Sequence, residues 1–221
     1  KTLNLKNIIG ANDDSANEKT EFTIPDYLTM NINCNIETLV YNNVYPNKIQ
    51  CDFIYKNNSL TSENLELNIF DGRLFFDGKL YKNDKNNFKL TSNIKLEKID
   101  IKKAFSAFNN FGQDFIIDKH IKGKSSANLI CNMYWDKYLN LNNESIDVNS
   151  KITIEKGELI DFKPLEKLSS YVKLKDLEHI KFSKLENEIK IKDKIISVPN
   201  MEINSSALSL IISGKHYFNQ E

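Results

Sequence analysis

The sequence predicts an all-β, mainly antiparallel protein, either a curled β-sheet groove or a flattened sandwich, with two short helices. Apolar and polar residues alternate over most of the 221 residues, which is the period of a strand with one buried face. Turn signals such as Asn57-Asn58 and Asp71-Gly72 separate the alternating runs. Connectors this short indicate antiparallel neighbours, because a parallel crossover needs a dozen or more residues.

The first half of the chain predicts an N-terminal segment followed by a series of strands. We expect residues 1–21 to be flexible, with a short strand over 3–9, and residues 22–221 to form a single domain. The Asp71-Gly72 pair between two alternating runs is the clearest hairpin signal. The runs predict strands at about 28–40, 48–56, 64–70, 73–82 and 87–97.

A helix is predicted near residues 100–111. Asp100 is placed to cap its start, and Gly112 is placed to end it. Apolar residues recur at helical spacing between them, so we expect this face to pack against the sheet. The residues of this face are Ile101, Ala104, Phe105 and Phe108.

The second half, from Ser145 to Gly214, alternates almost throughout. We expect Gly157 with Glu158 to make a turn after Ile154. Residues 164–172 are expected to form the second helix, because a proline is well tolerated at the first helical position. Pro199 falls inside a strand pattern and predicts an edge or a bulge.

Composition excludes some classes of function. Lys and Arg total 30, and Asp and Glu also total 30, so no basic surplus indicates general nucleic-acid binding. No apolar run approaches 18 residues, so no transmembrane helix is predicted. The chain begins on Lys1 without a visible signal peptide, and we expect it to be a piece of a longer protein whose targeting segment is missing.

The three cysteines predict no metal centre. Cys34, Cys51 and Cys131 lie in phase with apolar neighbours, which is typical of buried free thiols. A cross-strand disulfide between Cys34 and Cys51 remains open at this point. The spacing of cysteines and histidines matches no metal-ligand motif.

Catalytic motifs are also missing from the sequence. It contains no G-x-S-x-G, no phosphate-binding glycine loop and no H-E-x-x-H. Glu155, Glu158 and Asp161 form an acidic cluster that we interpret as a solvated turn face. We therefore predict a protein that is not an enzyme and that needs no cofactor.

The predicted sheet has more apolar surface than its helices can cover. About ten to twelve strands of 17–20 Å give a face of about 1,000 Å². Two short helices shield about a third of such a face. Exposed apolar patches on soluble monomers rarely exceed about 300–600 Å². The remaining surface must fill its own core as a sandwich, or form a trough that binds acyl chains.

A resemblance favours the trough. The runs I-T-I-E-K-G-E-L-I-D-F-K-P-L-E-K-L-S-S-Y, H-I-K-F-S-K-L-E-N-E-I-K-I and V-P-N-M-E-I-N-S-S-A-L-S-L-I-I-S-G resemble the C-terminal region of AsmA-like proteins. So does I-D-I-K-K-A-F-S-A-F-N-N-F-G-Q-D-F-I, and the likeness extends over about residues 60–218. This family belongs to the Gram-negative cell envelope and is related to TamB-type and chorein-type bridge proteins.

The resemblance implies a function, a location and partners. It implies a periplasmic β-groove, anchored in the inner membrane through a missing N-terminal segment, that contributes to phospholipid transport between the two membranes and to outer-membrane homeostasis. Envelope proteins are possible partners. The alternative is a structural or adhesin-like sandwich with a self-filled core. The candidate lining residues for acyl chains are Ile121, Leu129, Ile152, Ile154, Leu159, Leu185, Ile189, Ile191, Val198, Leu208, Leu210 and Ile212.

Overall fold

The strands form one open sheet in which spatial order follows chain order. The computed structural model describes residues 2–4, 27–83, 87–112, 114, 116–163, 173–206 and 209–217. Within them, ten strands form an antiparallel meander, and a short strand joins its first edge in parallel. The last strand pairs only with the one before it, so the sheet is not closed into a barrel. The strands are β1 (Thr2–Asn4), β2 (Met30–Val40), β3 (Asn47–Lys56), β4 (Ser59–Ile69), β5 (Gly72–Lys82), β6 (Phe88–Asp100), β7 (Ile121–Trp135), β8 (Asp147–Ile160), β9 (His179–Lys192), β10 (Ile195–Asn204) and β11 (Ser209–Tyr217).

This architecture confirms the predicted all-β, mainly antiparallel fold. Each of the five strands predicted between residues 28 and 97 is present, although β4 begins at Ser59 and is longer than expected. Apart from β1, the segment that we expect to be flexible lies outside the described residues. The described residues contain eleven strands, which is within the predicted range of about ten to twelve.

Two short helices lie at one end of the sheet. Helix α1 (Ile101–Ala107) begins at Asp100, whose Oδ1 accepts a hydrogen bond of 3.1 Å from the N–H of Lys103, as a helix cap does. It confirms the helix predicted near 100–111. Helix α2 (Leu174–Glu178) forms little more than one turn. The helix predicted over 164–172 lies outside the described residues.

The hairpin predicted at Asp71-Gly72 is present, with its turn one residue earlier. Phe70 and Asp71 have φ angles of 48° and 58°, and Ile69 pairs with Gly72 across the turn. A two-residue turn with two positive φ angles matches the twist of the flanking strands. Glycine is needed at position 72 for another reason, because a Cβ there would lie 2.3 Å from the carbonyl oxygen of Glu97 on β6.

The turn predicted at Gly157 and Glu158 is wrong. Strand β8 continues through both residues to Ile160, and Gly157 pairs with Phe182 on β9. A Cβ on Gly157 would lie 2.1 Å from the ring of Phe182. The glycine therefore makes room for a buried aromatic ring and does not mark a chain reversal.

Pro199 causes the irregularity that the sequence predicts. It lies in β10, where the register with β11 shifts between Val198 and Met201. Strand β10 pairs with β9 only over Ile195–Ser197, before the proline is reached. Because proline has no N–H to donate, the regular ladder is interrupted at this position.

The main hydrophobic core lies between the helices and the last five strands. Ile101 of α1 and Leu177 of α2 are buried there with Phe162, which follows β8. Ile180 on β9 is the most deeply buried, with 1% of its surface exposed. The core also contains Ile121, Leu159, Phe182, Leu185 and Ile203.

Candidate functional site

The register of the sheet assigns its side chains to two faces of opposite character. Directly opposed residues on neighbouring strands point to the same side, so each set of opposed residues forms a row across the sheet. We call the two sides the apolar face and the polar face. One row on the apolar face crosses six strands and consists of Met30, Tyr55, Leu60, Leu80, Leu90 and Met133. A row on the polar face consists of Asp77, Asn93, Ile130, Asn149 and Lys190.

The apolar face extends over nearly the whole sheet. The row beside the first crosses nine strands, from Ile32 on β2 to Ile196 on β10. Strands of about 11 residues and 36 Å, spaced about 4.8 Å apart, give a face of about 1,700 Å². This area is larger than the value of about 1,000 Å² expected from the sequence, because the strands are longer than average. The nine-strand row consists of Ile32, Phe53, Ser62, Gly78, Ser92, Cys131, Val148, Ile191 and Ile196.

Small residues occupy the middle of this row. Four neighbouring strands, β4 to β7, contribute in order Ser62, Gly78, Ser92 and Cys131. The ring of Phe76 lies over Gly78, where a Cβ would be 2.6 Å from it. Burial raises the pKa of the Cys131 thiol, and the hydroxyl of Ser92 beside it opposes this shift. The Oγ of Ser62 is buried without a hydrogen-bond partner among the described residues.

The two described helices cover only one part of the apolar face. They contact β6, β7, β8 and β9 near the end of the sheet where the core lies. Their 7 and 5 residues correspond to lengths of about 10 and 8 Å, which cover less than about 200 Å². Elsewhere most large side chains of this face are half-buried, and Ile32 is 39% exposed. The described helices therefore cover only this end of the apolar face, although Tyr55, Phe88 and Val148 beyond it are also buried.

The candidate lining residues divide into two groups. Ile121, Leu159 and Leu185 are buried in the core, and Ile154, Leu210 and Ile212 pack against it. The other five lie on the part of the face beyond the helices and are half-buried: Leu129, Ile152, Ile189, Ile191 and Val198. Leu208 lies outside the described residues. All the described candidates share the apolar face, and the second group is the better placed to contact a ligand.

Sequence reasoning missed the contribution of the first five long strands. The rows continue from the candidates into β2–β6, so these strands supply about half of the apolar face. The alternation of apolar and polar residues on which the candidates were chosen is also present in this part of the sequence. It therefore predicts the apolar-face residues of β2–β6 as well. The uncovered residues include Leu65, Leu74, Phe76, Ile94 and Leu96.

The described clefts lie against the polar face. The larger, of about 1820 Å³, extends from β3 to β9 and is lined by charged side chains such as Arg73, Glu97 and Lys151. These charges are largely paired: Lys95 Nζ lies 2.8 Å from Glu97 Oε1, and Lys151 Nζ lies 3.6 Å from Glu188 Oε1. Hydrogen bonding from Lys95, supported by Arg73, lowers the pKa of Glu97. The balanced charges of this cleft favour neither an anion nor an apolar ligand.

No family model, curated protein or solved structure matches this chain. The described residues contain no cluster of His, Cys, Asp and Glu that could hold a metal ion. None of the described helices has the length and hydrophobicity of a membrane span.

The cysteines lie on the apolar face. Cys34 and Cys51 are directly opposed on β2 and β3, and all three cysteines are free thiols. Burial raises the pKa of Cys51 to about 12, and contact with Cys34 adds to the shift. Cys51 is therefore a neutral thiol at physiological pH and makes a poor nucleophile.

Proposed function

We propose that this chain is a non-enzymatic lipid carrier of the AsmA-like type, in which the apolar face of the sheet binds phospholipid acyl chains. The observation that carries the proposal is the size of this face, about 1,700 Å² by strand geometry. The described helices cover a small part of it. Part of this face is buried and much of it is half-buried, but an apolar face of this extent with so little helical cover favours a partner.

Acyl chains fit the chemistry of this surface. Each methylene group removed from water contributes about 0.8 kcal/mol, so contact with part of one chain gives substantial affinity without specific polar contacts. The nine-strand row contains no charged residue between β2 and β10. A ligand could move along such a path with its headgroup in water. In the cell, the resemblance to AsmA-like proteins implies transport between the envelope membranes.

A structural module is the second candidate. It is favoured by the burial of Tyr55, Phe88 and Val148, which lie on the apolar face outside the part that the described helices cover. Another apolar sheet could cover it as in a sandwich, where two sheets pack face to face about 10 Å apart. This candidate expects a dimer or a complex that carries no lipid.

Adjacent residues on β7 provide a matched test. Leu129 points to the apolar face and Ile130 to the polar face, where it is 56% exposed. Leu129→Asp should abolish the phospholipid that wild-type protein acquires from vesicles, measured by native mass spectrometry, and Ile130→Asp should leave it unchanged. Leu210 is a poor choice for this test, because it packs against the core and its replacement would unfold the protein.

Three outcomes separate the candidates. Lipid bound to wild type and Ile130→Asp but not to a folded Leu129→Asp supports the carrier. A lipid-free dimer that Leu129→Asp converts to a monomer supports the structural module. A lipid-free wild-type monomer after incubation with vesicles contradicts both. Circular dichroism of each variant establishes that it is folded.

A further inference from the structure

The strands β2 and β3 form a hairpin at one edge of the sheet, which we call the edge hairpin. On its outer side β2 pairs only with the short strand β1, over residues 38–40, which leaves residues 30–37 without a neighbour among the described residues. The ladder that joins β3 to β4 is irregular and shifts register on both sides of Gln50. Residues 30–33 are also exposed. Strands with an open edge and few buried contacts separate from a sheet more readily than central strands do.

Two thiols face each other near the middle of the edge hairpin. Cys34 is opposed to Cys51 in the fifth of eight pairs between the two strands, and the thiols are in hydrogen-bonding contact. Directly opposed residues of antiparallel strands have Cα atoms about 4.5–5.5 Å apart, which is within the range that a disulfide spans. Cys131 lies four strands away from β3, at about 19 Å, and is too distant to join either thiol.

The two thiols differ in their access to solvent. Cys34 is half-buried on the outermost long strand, whereas Cys51 is only 6% exposed. Burial, together with the contact with Cys34, raises the pKa of Cys51 to about 12. A disulfide in solution therefore reaches Cys34 first, and Cys51 is held beside it as the second thiol of an exchange reaction.

We propose that Cys34 and Cys51 form a redox site at which thiol–disulfide exchange locks the edge hairpin. The Cys34 thiolate attacks oxidised glutathione or a similar disulfide, forms a mixed disulfide and releases one glutathione thiolate. Cys51 then loses its proton to solvent, and its sulfur displaces the second glutathione thiolate as the Cys34–Cys51 bond forms. The two cysteines together lose two electrons, which reduce one oxidised glutathione to two thiols. Reduced glutathione can reverse the reaction, because a disulfide on an outer strand is accessible to reductants.

The crosslink changes how readily β2 leaves the sheet. In the reduced protein, β2 separates from β3 when the hydrogen bonds of their ladder break. In the oxidised protein a covalent bond near the middle of this ladder restricts the open state, which makes opening less favourable. Ile32 of β2 is the first residue of the nine-strand row, so the state of the thiols controls whether this end of the apolar face stays assembled. The inference holds whatever the apolar face binds and does not rest on the proposed carrier function.

Equilibration with mixtures of reduced and oxidised glutathione tests the exchange. Alkylation and peptide mapping should show Cys34 and Cys51 protected together in oxidising mixtures and alkylated again in reducing ones. Cys131→Ser should behave as wild type does. Cys51→Ser should accumulate a mixed disulfide at Cys34, and Cys34→Ser should form one at least about tenfold more slowly, because Cys51 is buried.

Two results of this titration would overturn the proposal. One is a pair of thiols that stays reduced in the most oxidising mixture. The other is a Cys34–Cys51 disulfide that reduced glutathione does not open, since such a bond is a permanent crosslink and not a redox site.

Amide hydrogen exchange measures the effect on the strand itself. Peptides that cover residues 30–40 should exchange at least about tenfold more slowly in the oxidised protein than in the reduced protein. A Cys34→Ser/Cys51→Ser variant should exchange at the same rate in both buffers. Equal exchange of β2 in the two states of the wild type would overturn the proposal. Slowing by the same factor in β6, a central strand, would show that the crosslink acts only on global unfolding and would also overturn it.

Discussion

Replacing Gly157 by alanine should destabilise the protein by about 2–3 kcal/mol. The new Cβ would lie 2.1 Å from two ring atoms of Phe182 and 2.9 Å from a third. Carbon atoms in contact normally lie about 3.5–4.0 Å apart, so the ring or the strand must move by about 1.5 Å. Phe182 is 5% exposed and lies in the core, so its ring has little room to move. Overpacking of this kind typically costs about 1–3 kcal/mol, and the short contacts place this case in the upper half of the range.

Urea unfolding measures this effect. Far-ultraviolet circular dichroism follows the sheet, and Trp135 fluorescence provides an independent probe at the far end of β7. For a chain of this size, the loss corresponds to a fall in Tm of about 4–10 °C. Gly214→Ala is the matched control, because nothing lies within 4 Å of a Cβ at that position on β11. Its unfolding free energy should stay within about 0.5 kcal/mol of wild type.

A smaller side chain at position 182 should reduce the cost. In a Phe182→Leu background, Gly157→Ala should cost at least about 1 kcal/mol less than in wild type, since the leucine leaves space for the new methyl group. A Gly157→Ala protein as stable as wild type would refute the packing argument. An equal cost in both backgrounds would show that the backbone, and not the ring of Phe182, requires glycine.

Three further predictions follow from single contacts. Asp100→Ala should lower the unfolding free energy by about 1 kcal/mol in urea titrations, because α1 loses the carboxylate that accepts a hydrogen bond from the N–H of Lys103. Asp100→Asn is the control and should retain most of the wild-type unfolding free energy, since asparagine also caps helices. Hydrogen bonding from His179, supported by Lys122, lowers the pKa of Glu158, so Glu158→Gln should cost less than about 1 kcal/mol at neutral pH. This cost should be present above the ordinary glutamate pKa and vanish as pH falls below the lowered value; a difference that persists in acid would contradict the assignment. Oxidation should join Cys34 to Cys51, which are directly opposed, and leave Cys131 free in peptide mapping. The crosslink should stabilise the protein by about 2–3 kcal/mol, and a disulfide that includes Cys131 would contradict the register.

The sequence predicted the strands because alternation and turn residues act locally. The β2–β6 strands and the hairpin after Ile69 follow from period-two patterning and from short connectors. Pro199 was also predictable, since a missing N–H interrupts any ladder in which it lies. These features need no knowledge of what lies across the sheet.

Features that depend on distant neighbours were not predictable in this way. Gly157 resembles a turn residue in the sequence, and only the ring of Phe182, 25 positions along the chain, explains why it lies within a strand. Phe108 follows the helical spacing, but α1 ends at Ala107, and the ring of Phe108 contacts Phe70 of the β4–β5 turn and stays 48% exposed. The division of the candidate lining residues into buried and uncovered groups depends on where the helices pack, which periodicity does not specify.

The order of the strands has a consequence for how such a protein is made and lengthened. From β2 onward every strand pairs with the one synthesised just before it, so each hairpin can form as the chain leaves the ribosome. Duplication of any one hairpin adds two strands, keeps the alternation of the two faces in phase and leaves all other pairings unchanged. A sheet built in this way can be extended during evolution by small genetic steps, each of which adds about 10 Å to its width.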